Sequence, residues 1–523
     1  MKKIVLLLSA LMLAACHGED LPSSSNKSDE GVYHGMIELG EKLEDPYSVT
    51  NITKAIEALY PTKAGTIELS PTNIYVRFLP KDNDEFETLR RSGIVLLDHP
   101  VDYRIVREGD YYHDPAVEDG SITWQYAVVS PEYKFPEGIK CEKLDDCYIS
   151  ENDPATRSGA DGIDWEAVER QAFFLTGNGD LYIPPTKAES AVPEGRITIV
   201  DKDFNGGQPF GVSGVMVSCN SFVKFDHCNT DRDGYYKMKK KYSAKPRFRL
   251  VFSNTKGFNI GFNLVLIPGS VSTLGKGDPS GMDAEVTSSS DGYLWRRCCV
   301  NNAAYNYFTR CSETDMNITP PPGDIRFWIF KDVDASSAIM LHHGAFLSQS
   351  LIQKYLGQYV PLIKMFLPDI TIGTKGGSSY SDIYSTVCHE LSHASHYAQV
   401  GNSYWDKYIE YIATSYLSSG GTTYGTGTEE GAGYCEVGET WAYFMESIMY
   451  QERYGGAVPS FGTSYWFHPQ ILRYLYERGM KRSELLAALK TEVTSMDDYK
   501  DQLVSLYQER ESLINQVFGR YSR

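Results

Sequence analysis

Apolar residues recur at helical spacing along the last two-fifths of the chain. The spacing predicts helices over residues 302–309, 350–359, 381–399, 404–417 and 434–450, and apolar runs predict strands at 325–330 and 369–372. Pro361 ends or kinks the second of these helices, and Gly401 ends the third. We therefore expect residues 290–523 to form a mainly helical domain with a small sheet.

Shorter apolar runs replace the helical pattern earlier in the chain. Residues 196–262 alternate apolar and polar positions between glycines, which is typical of a small antiparallel sandwich. The preceding region mixes apolar strands, such as 94–97, with a helix that Asp164 caps. The predicted fold class is multidomain α+β, with an N-terminal α+β domain at 32–190, a central β-sandwich at 195–268 and the helical domain at 290–523.

The predicted sandwich contains two turn-rich segments in a characteristic order. Gly211-Val212-Ser213-Gly214-Val215-Met216-Val217 is followed by Thr230-Asp231-Arg232-Asp233-Gly234-Tyr235-Tyr236. This order resembles the carboxypeptidase regulatory-like domain of prealbumin type, over about seventy residues. The resemblance implies an accessory β-sandwich. The domain before it is expected to be either a removable pro-segment or a permanent spacer.

The N-terminus has the pattern of an export signal. Lys2-Lys3 precedes an apolar stretch at 4–13, and Leu13-Ala14-Ala15-Cys16 follows. About ten apolar residues are too few to span a bilayer. The segment resembles the lipobox of bacterial lipoproteins, which implies that residues 1–15 are removed and that Cys16 is acylated. We expect a flexible tether at 16–31 and attachment to the lipid bilayer of the bacterial outer membrane, on either face.

Charge and cysteine content narrow the partners and the compartment. The net charge of −18 excludes a nucleic-acid partner, because phosphate binding needs massed Lys and Arg. An exported chain with nine cysteines besides Cys16 is expected to form disulfides. The candidate pairs are Cys141 with Cys147, Cys219 with Cys228, one pair among Cys298, Cys299 and Cys311 with one thiol left over, and Cys388 with Cys435. Whether the last pair forms is open.

The strongest chemical signal is His389-Glu390-Leu391-Ser392-His393. Two histidines four residues apart leave the same face of a helix and can bind one zinc ion. Glu390 lies about 100° round the helix from His389, where it can activate a zinc-bound water without binding the metal. His396 has no glycine before it to turn the chain back towards the metal, so we expect it beside the ligands or on the surface.

A second predicted helix carries the candidates for the third ligand. Glu439, Ala442 and Glu446 share one face of the segment Tyr434-Cys435-Glu436-Val437-Gly438-Glu439-Thr440-Trp441-Ala442 and its continuation. This pattern resembles the glutamate helix of the gluzincin zinc peptidases. The resemblance implies Glu439 as the ligand and Glu446 as a carboxylate that orients a ligand histidine. Glu436, one turn earlier, is the alternative ligand.

These residues together predict a zinc-dependent peptidase acting on a protein or peptide substrate. Glu390 is the expected general base, with one catalytic zinc held by His389, His393 and Glu439. The gluzincin resemblance also implies a Tyr or His donor to the transition state, for which Tyr443, Tyr465 and His468 are candidates. Residues 369–373 are either an edge strand that binds substrate or an interior strand. The alternative function is an inactive surface-binding lipoprotein that acts through its sandwich.

Overall fold

The computed structural model describes residues 36–63, 65, 67–109, 111–118, 121–156, 162–182, 190–261, 271–289, 292–330, 336–345, 367–374, 379–418, 424–456 and 465–521. Over these ranges the protein is a mixed α+β structure with eleven α-helices, concentrated towards the C-terminus, and several small sheets. The predicted multidomain α+β class is thus confirmed. The signal segment, Cys16, the tether and the helix predicted at 350–359 lie outside the described residues.

Two small antiparallel sheets and three helices form the N-terminal part. The elements are β1 (Glu38–Lys42), α1 (Val49–Leu59), β2 (Asn73–Leu79), α2 (Asn83–Arg91), β3 (Tyr103–Arg107), β4 (Gln125–Val129), β5 (Lys140–Cys147) and α3 (Trp165–Leu175). The strand order is β4-β2-β5 in one sheet, and β1 pairs with β3 in the other. Asp164 caps α3 as predicted, accepting a hydrogen bond from the Ala167 amide. The strand predicted at 94–97 is wrong: only Leu97 forms a bridge there, to Tyr126.

The central part contains two four-stranded sheets. Its strands are β6 (Glu194–Ile199), β7 (Phe210–Gly211), β8 (Met216–Ser221), β9 (Lys224–Asn229), β10 (Tyr235–Lys237), β11 (Arg247–Val251), β12 (Phe258–Gly261), β13 (Val271–Lys276) and β14 (Ala284–Val286). One sheet has the order β10-β6-β14, with β7 also paired to β6, and the other β13-β11-β8-β9. Ile197 of the first sheet and Phe248 of the second are fully buried in one shared hydrophobic cluster.

The predicted domain boundaries stay predictions, but the pairing adds detail to them. Strands β13 and β14 pair with the sheets of the central part, although both follow residue 268. Strand β12 lies within the predicted sandwich range, yet it pairs in parallel with β15 (Ile325–Phe330) of the C-terminal sheet. The chain thus crosses between the two parts more than once.

The C-terminal part places helices around one small sheet. Besides β15, its elements are α4 (Gly292–Cys311), β16 (Ser337–Ala338), β17 (Ile370–Gly373), α5 (Tyr380–Val400), α6 (Asn402–Ser418), α7 (Ala432–Tyr454), α8 (Gln470–Glu477), α9 (Arg482–Ala487), α10 (Met496–Leu506) and α11 (Glu511–Phe518). The sheet order is β12-β15-β17-β16, and only β16 runs antiparallel to its neighbour. Strand β17 is therefore interior, and the edge-strand alternative for residues 369–373 is wrong.

Helix α5 is the central element of this part. Ser379 and Asp382 form a capping box at its start, and Gly401 ends it with φ 73°, as predicted for that glycine. The helix packs against α4 and α7. From α4 the Tyr307 hydroxyl donates to Ser392 Oγ (3.2 Å), and from α7 the Trp441 indole donates to the Ser392 carbonyl (3.0 Å). These bonds hold α5 between its two neighbours at the motif residues.

The nine cysteines of the described residues are free thiols. Cys388 and Cys435 are both fully buried, but they have different neighbours. Cys388 lies beside Tyr384 and Tyr307, whereas Cys435 lies beside Tyr404 of α6. None of the predicted disulfide pairs is formed in the structure. Among the helices described, none is both long and apolar enough to cross a membrane.

A buried ion pair connects the central part to the end of α7. Asp201, directly after β6, is fully buried and accepts hydrogen bonds from the Arg453 guanidinium (3.2 Å) and the Tyr454 hydroxyl (2.8 Å). The guanidinium also lies 3.8 Å from the centroid of the Phe204 ring. This contact fixes the end of α7 that lies beyond Glu439 and Glu446.

We expect Asp201→Ala to lower the free energy of unfolding by about 3 kcal/mol, because it leaves the Arg453 charge buried without its partner. Urea-induced unfolding followed by tryptophan fluorescence measures the change. Asp203→Ala is the matched control, since Asp203 is exposed, and its effect should stay within about 0.5 kcal/mol. Equal stability of the Asp201→Ala and Asp203→Ala proteins would contradict the structural role of the pair.

Candidate metal centre

Three ligand-type side chains from two helices meet in the protein interior. His389 and His393 project from α5, and Glu439 projects from α7. The two histidine Nε2 atoms are 3.1 Å apart. Glu439 Oε2 lies 3.3 Å from His389 Nε2, and Glu439 Oε1 lies 3.5 Å from His393 Nε2. In the part of the chain that the structure describes, this is the group that can hold a metal ion, with all ligand atoms within 4.8 Å of one another.

The residues present fit a tetrahedral zinc ion. Ligand atoms about 2.0–2.1 Å from a common centre lie about 3.3–3.4 Å from one another in a tetrahedron. The distance between the two histidine nitrogens, and from each nitrogen to the nearer Glu439 oxygen, is close to this value. Glu439 Oε2 is buried and has no hydrogen-bond partner in the structure. A buried carboxylate oxygen without a donor is costly, and a bound cation would satisfy it. The group thus has both the spacing and the unmet charge of a metal site.

A glycine lets the two ligand helices approach each other. A Cβ atom at Gly438 would lie 3.1 Å from the Tyr408 ring and 3.9 Å from the His393 ring. A larger side chain there would clash with the Tyr408 ring of α6 and crowd the His393 ring of α5. The position of Glu439 beside His393 therefore depends on the absence of a side chain at the preceding residue.

Glu446 lies where the predicted orienting carboxylate is required. Its Oε2 is 3.0 Å from His389 Nδ1, and its other oxygen accepts a hydrogen bond from Ser385 Oγ. A carboxylate on Nδ1 favours the tautomer that keeps the proton there, leaving the Nε2 lone pair for a metal. Glu436 is only partly buried and is outside the group of ligand atoms. The structure thus brings Glu439, rather than Glu436, to the two histidines.

Burial and mutual charge shift the titration of the three ligands. Burial disfavours a charged His389, but the neighbouring carboxylates of Glu439 and Glu446 outweigh it and hold the pKa of His389 well above its usual range. Burial lowers the pKa of His393. Burial opposes ionisation of Glu439 too, yet the neighbouring imidazoles hold the pKa of this carboxyl well below its usual range. The site therefore favours a carboxylate facing a positive charge.

Glu390 is a separate carboxyl group beside the three ligands. It is 5 % exposed, and its side chain lies close to the backbone of Ala338 on β16. Burial raises the pKa of Glu390 to about 8, and the charges of Glu439 and Glu446 add to the effect. A carboxyl group with a pKa near neutrality can both accept and return a proton.

The backbone of the short strand β16 contacts two residues at or next to the site. The backbone of Ala338 lies next to Glu390, and its carbonyl accepts a hydrogen bond from the Trp405 indole of α6 (2.9 Å). Trp405 is fully buried and stacks edge-on against the His393 ring, with centroids 5.8 Å apart. Strand β16 thus helps to position Glu390, and α6 holds that strand in place.

Tyr408 of α6 is a site residue that the sequence reasoning missed. Its hydroxyl donates a hydrogen bond to Glu439 Oε1 (2.5 Å) and lies 3.5 Å from His393 Nε2. Tyr404, Tyr408 and Tyr411 recur at helical spacing beside Trp405, so the aromatic face of α6 was visible in the sequence. What it faces was not visible, because that depends on how the segment after Gly401 folds back on α5.

The three residues predicted as candidate donors to the transition state lie at different positions relative to the ligand histidines. Tyr443 packs on His389, with ring centroids 4.5 Å apart, and Tyr465 packs on Tyr443 (5.6 Å). Tyr465 is 39 % exposed, at the rim of this aromatic group. His468 instead packs on Tyr521 near the C-terminus (5.0 Å). Of the three, Tyr443 is the one that contacts a ligand histidine.

Of the two positions expected for His396, beside the ligands or on the surface, the surface position is wrong. The side chain is fully buried between the Tyr404 and Trp405 rings, at centroid distances of 5.1 and 5.7 Å. Burial, with a contribution from His393, lowers the pKa of His396 to about 3. It is a neutral ring of the aromatic core and is not in the ligand group.

No protein-family model matches the chain, and no curated protein or solved structure matches it significantly. The gluzincin resemblance therefore rests on the sequence pattern and stays a prediction, whereas the structure shows a His-His-Glu group that could hold a metal ion.

We expect Glu439→Ala to weaken zinc binding by more than about 100-fold. Loss of an outer hydrogen-bond partner of a metal ligand already costs about 10–100-fold, and loss of a ligand should exceed it. Competition with a chromophoric chelator measures the affinity. Glu436→Ala should bind zinc as the unmodified protein does. The reverse order, with Glu436→Ala the weaker binder, would show that the third ligand has been misassigned.

Proposed function

We propose that the protein is a zinc metallopeptidase of the gluzincin kind. The observation that carries the proposal is the buried group of His389, His393 and Glu439 with a second carboxyl group, Glu390, next to it but outside the ligand set. Two imidazole nitrogens and one carboxylate are a donor set that zinc favours, and three protein ligands leave a position open for chemistry. Structural zinc sites are instead closed by a fourth protein ligand.

In the proposed peptide hydrolysis, individual residues of the chain have separate roles. Zinc, when bound, supplies Lewis acidity that polarises a carbonyl group and makes water a better nucleophile. Glu390 accepts the proton of the attacking water and returns it to the amine of the leaving peptide. The raised pKa of Glu390 supports this role, because the carboxylate of a weaker acid is a stronger base towards the proton of water. Glu446 holds His389 in the tautomer that the site requires.

Two tyrosines flank the ligands on different sides of the group. The Tyr443 ring lies against His389, and the Tyr408 hydroxyl bonds to Glu439. We assign Tyr443 the role of a donor to the developing oxyanion, because Tyr408 already donates to a ligand. Tyr408 instead keeps Glu439 oriented towards the two histidines.

The location of the enzyme is proposed from the sequence alone. The lipobox-like Leu13-Ala14-Ala15-Cys16 supports an exported protein, anchored through acylated Cys16 to the bacterial outer membrane. A zinc peptidase in that position would act on proteins or peptides of the cell envelope or its surroundings. The complete set of ligands and base favours an active enzyme over a surface-binding protein that has lost its activity.

Glu390→Gln is expected to lower the turnover of peptide substrates by about 100-fold or more, because the amide cannot accept the proton of water. Zinc binding should be retained, since Glu390 is outside the ligand group. The measurement is mass spectrometry of cleavage products after incubation with a denatured-protein or peptide library.

Glu436→Gln serves as the matched control, being a conservative change on the neighbouring helix that should leave turnover intact. Unchanged cleavage by the zinc-loaded Glu390→Gln protein would rule out the assigned base. Absence of cleavage by the unmodified, zinc-loaded protein across the library would count against the peptidase itself.

A further inference from the structure

A second feature of the molecule lies away from the metal ligands, where the N-terminal part meets the sheet β13-β11-β8-β9. A cavity of about 410 Å³ opens there, between β3 and strands β11 and β13. None of the metal-site residues lines it. Five basic side chains do, namely Arg104, Lys245, Arg247, Arg249 and Lys276.

The charge of this cavity is opposite to that of the whole chain. Only two acidic residues, Glu108 and Asp180, line it beside the five basic ones, which leaves three positive charges in excess (5 − 2). The chain as a whole carries −18. A cluster of like charges in a concave, partly apolar site concentrates the field and attracts counter-ions.

Arg249 forms the floor of the cavity and has no acidic partner. It is 4 % exposed, donates to Asn220 Oδ1 (2.6 Å), and contacts His99 Nε2 (3.1 Å). The His99 ring is in turn held by Asp98 at Nδ1 (2.7 Å). Both direct partners of the guanidinium are neutral groups, because burial and the nearby arginines lower the pKa of His99. A buried guanidinium paired only with neutral groups is costly unless an anion joins it.

The basic groups also destabilise one another. Burial lowers the pKa of Arg249 to about 9, and the charge of Arg247 adds to that effect. Partial burial of the Lys276 amino group, and then the charge of Arg247, lower the pKa of this otherwise exposed residue as well. Arg247 itself pairs with Glu108, but in the described residues no carboxylate forms an ion pair with Arg249 or Lys276. An anion in the cavity would relieve both repulsion and desolvation.

Apolar side chains complete the lining. Tyr103 of β3 and Phe222, which follows β8, line the same space together with Leu43. Small-molecule sites of this volume combine an apolar wall with a few polar anchors that fix the orientation of the ligand. A bare inorganic ion would use the basic groups and leave this wall uncovered.

We propose that this cavity binds a small organic anion, whose phosphate or carboxylate group is held by Arg249 and Lys276 while an apolar or ring-shaped body packs on Tyr103 and Phe222. The ligand touches the N-terminal part and the central sheet at once, so binding stabilises their junction. The proposal does not depend on peptidase activity, since it shares no residue with the metal centre.

The test uses the full-length, zinc-loaded protein and four probes: inorganic phosphate, phenyl phosphate, benzoate and chloride, at constant ionic strength. Isothermal titration calorimetry gives affinities, and thermal unfolding reports stabilisation by a ligand that prefers the folded state. We expect phenyl phosphate to bind at least about tenfold more tightly than inorganic phosphate, because it also covers the apolar wall. Comparison of phenyl phosphate with benzoate distinguishes a phosphate site from a carboxylate site. Chloride should give no heat.

Lys276→Met should weaken the binding of phenyl phosphate about tenfold, and Arg249→Met should abolish it. Lys276 is exposed at the rim, so its replacement decides the matter even if the Arg249→Met protein fails to fold. Arg107→Ala is the control, because Arg107 belongs to the same strand β3 but does not line the cavity. Failure of every organic anion to bind below millimolar concentration would overturn the proposal, as would equal weakening by Lys276→Met and Arg107→Ala.

Discussion

Helices α5 and α7 bury three ionisable side chains close together, and none of these would be stable in its charged form without the others. An isolated buried carboxylate or imidazolium costs several kcal/mol in desolvation, so Glu439 needs His389 and His393, and His389 also needs Glu446. This mutual dependence links the fold to the chemistry, because the two helices must approach closely and in one register for the charges to be satisfied. A divalent cation at the centre of the group would replace the proton that now mediates these contacts.

The surrounding structure enforces that register from several directions. Ser392 receives hydrogen bonds from Tyr307 of α4 and from Trp441 of α7, while Trp405 of α6 holds the short edge strand that contacts Glu390. Gly438 removes the side chain that would keep the helices apart. Each of these contacts is either side-chain packing or one hydrogen bond between helices or strands, so the ligand atoms are positioned by rigid helices and not by loops.

Features that depend on local sequence could be predicted, and those that depend on long-range packing could not. The helix around His389, its end at Gly401, the cap at Asp164 and the strand Ile325–Phe330 follow from spacing and from the conformational preferences of single residues. That Glu446 orients a ligand histidine was implied by the family resemblance, and the structure identifies this histidine as His389. In contrast, the two-residue strand β16 has too little pattern to read, and the roles of Tyr408 and of the basic cavity arise from segments far apart in the chain. Strand β12 looked like part of the sandwich because apolar alternation does not say which sheet a strand joins.

The central claim is that two imidazoles and one carboxylate bind zinc, and that no sulfur atom is a ligand. X-ray absorption spectroscopy at the zinc edge, on protein loaded with one equivalent of zinc, tests it most directly. The account predicts a shell of nitrogen and oxygen atoms at about 2.0–2.1 Å, with outer-shell scattering from two imidazole rings. A sulfur scatterer at about 2.3 Å would contradict it by implicating a nearby thiol such as Cys388 or Cys435, and so would a spectrum with fewer than two imidazoles.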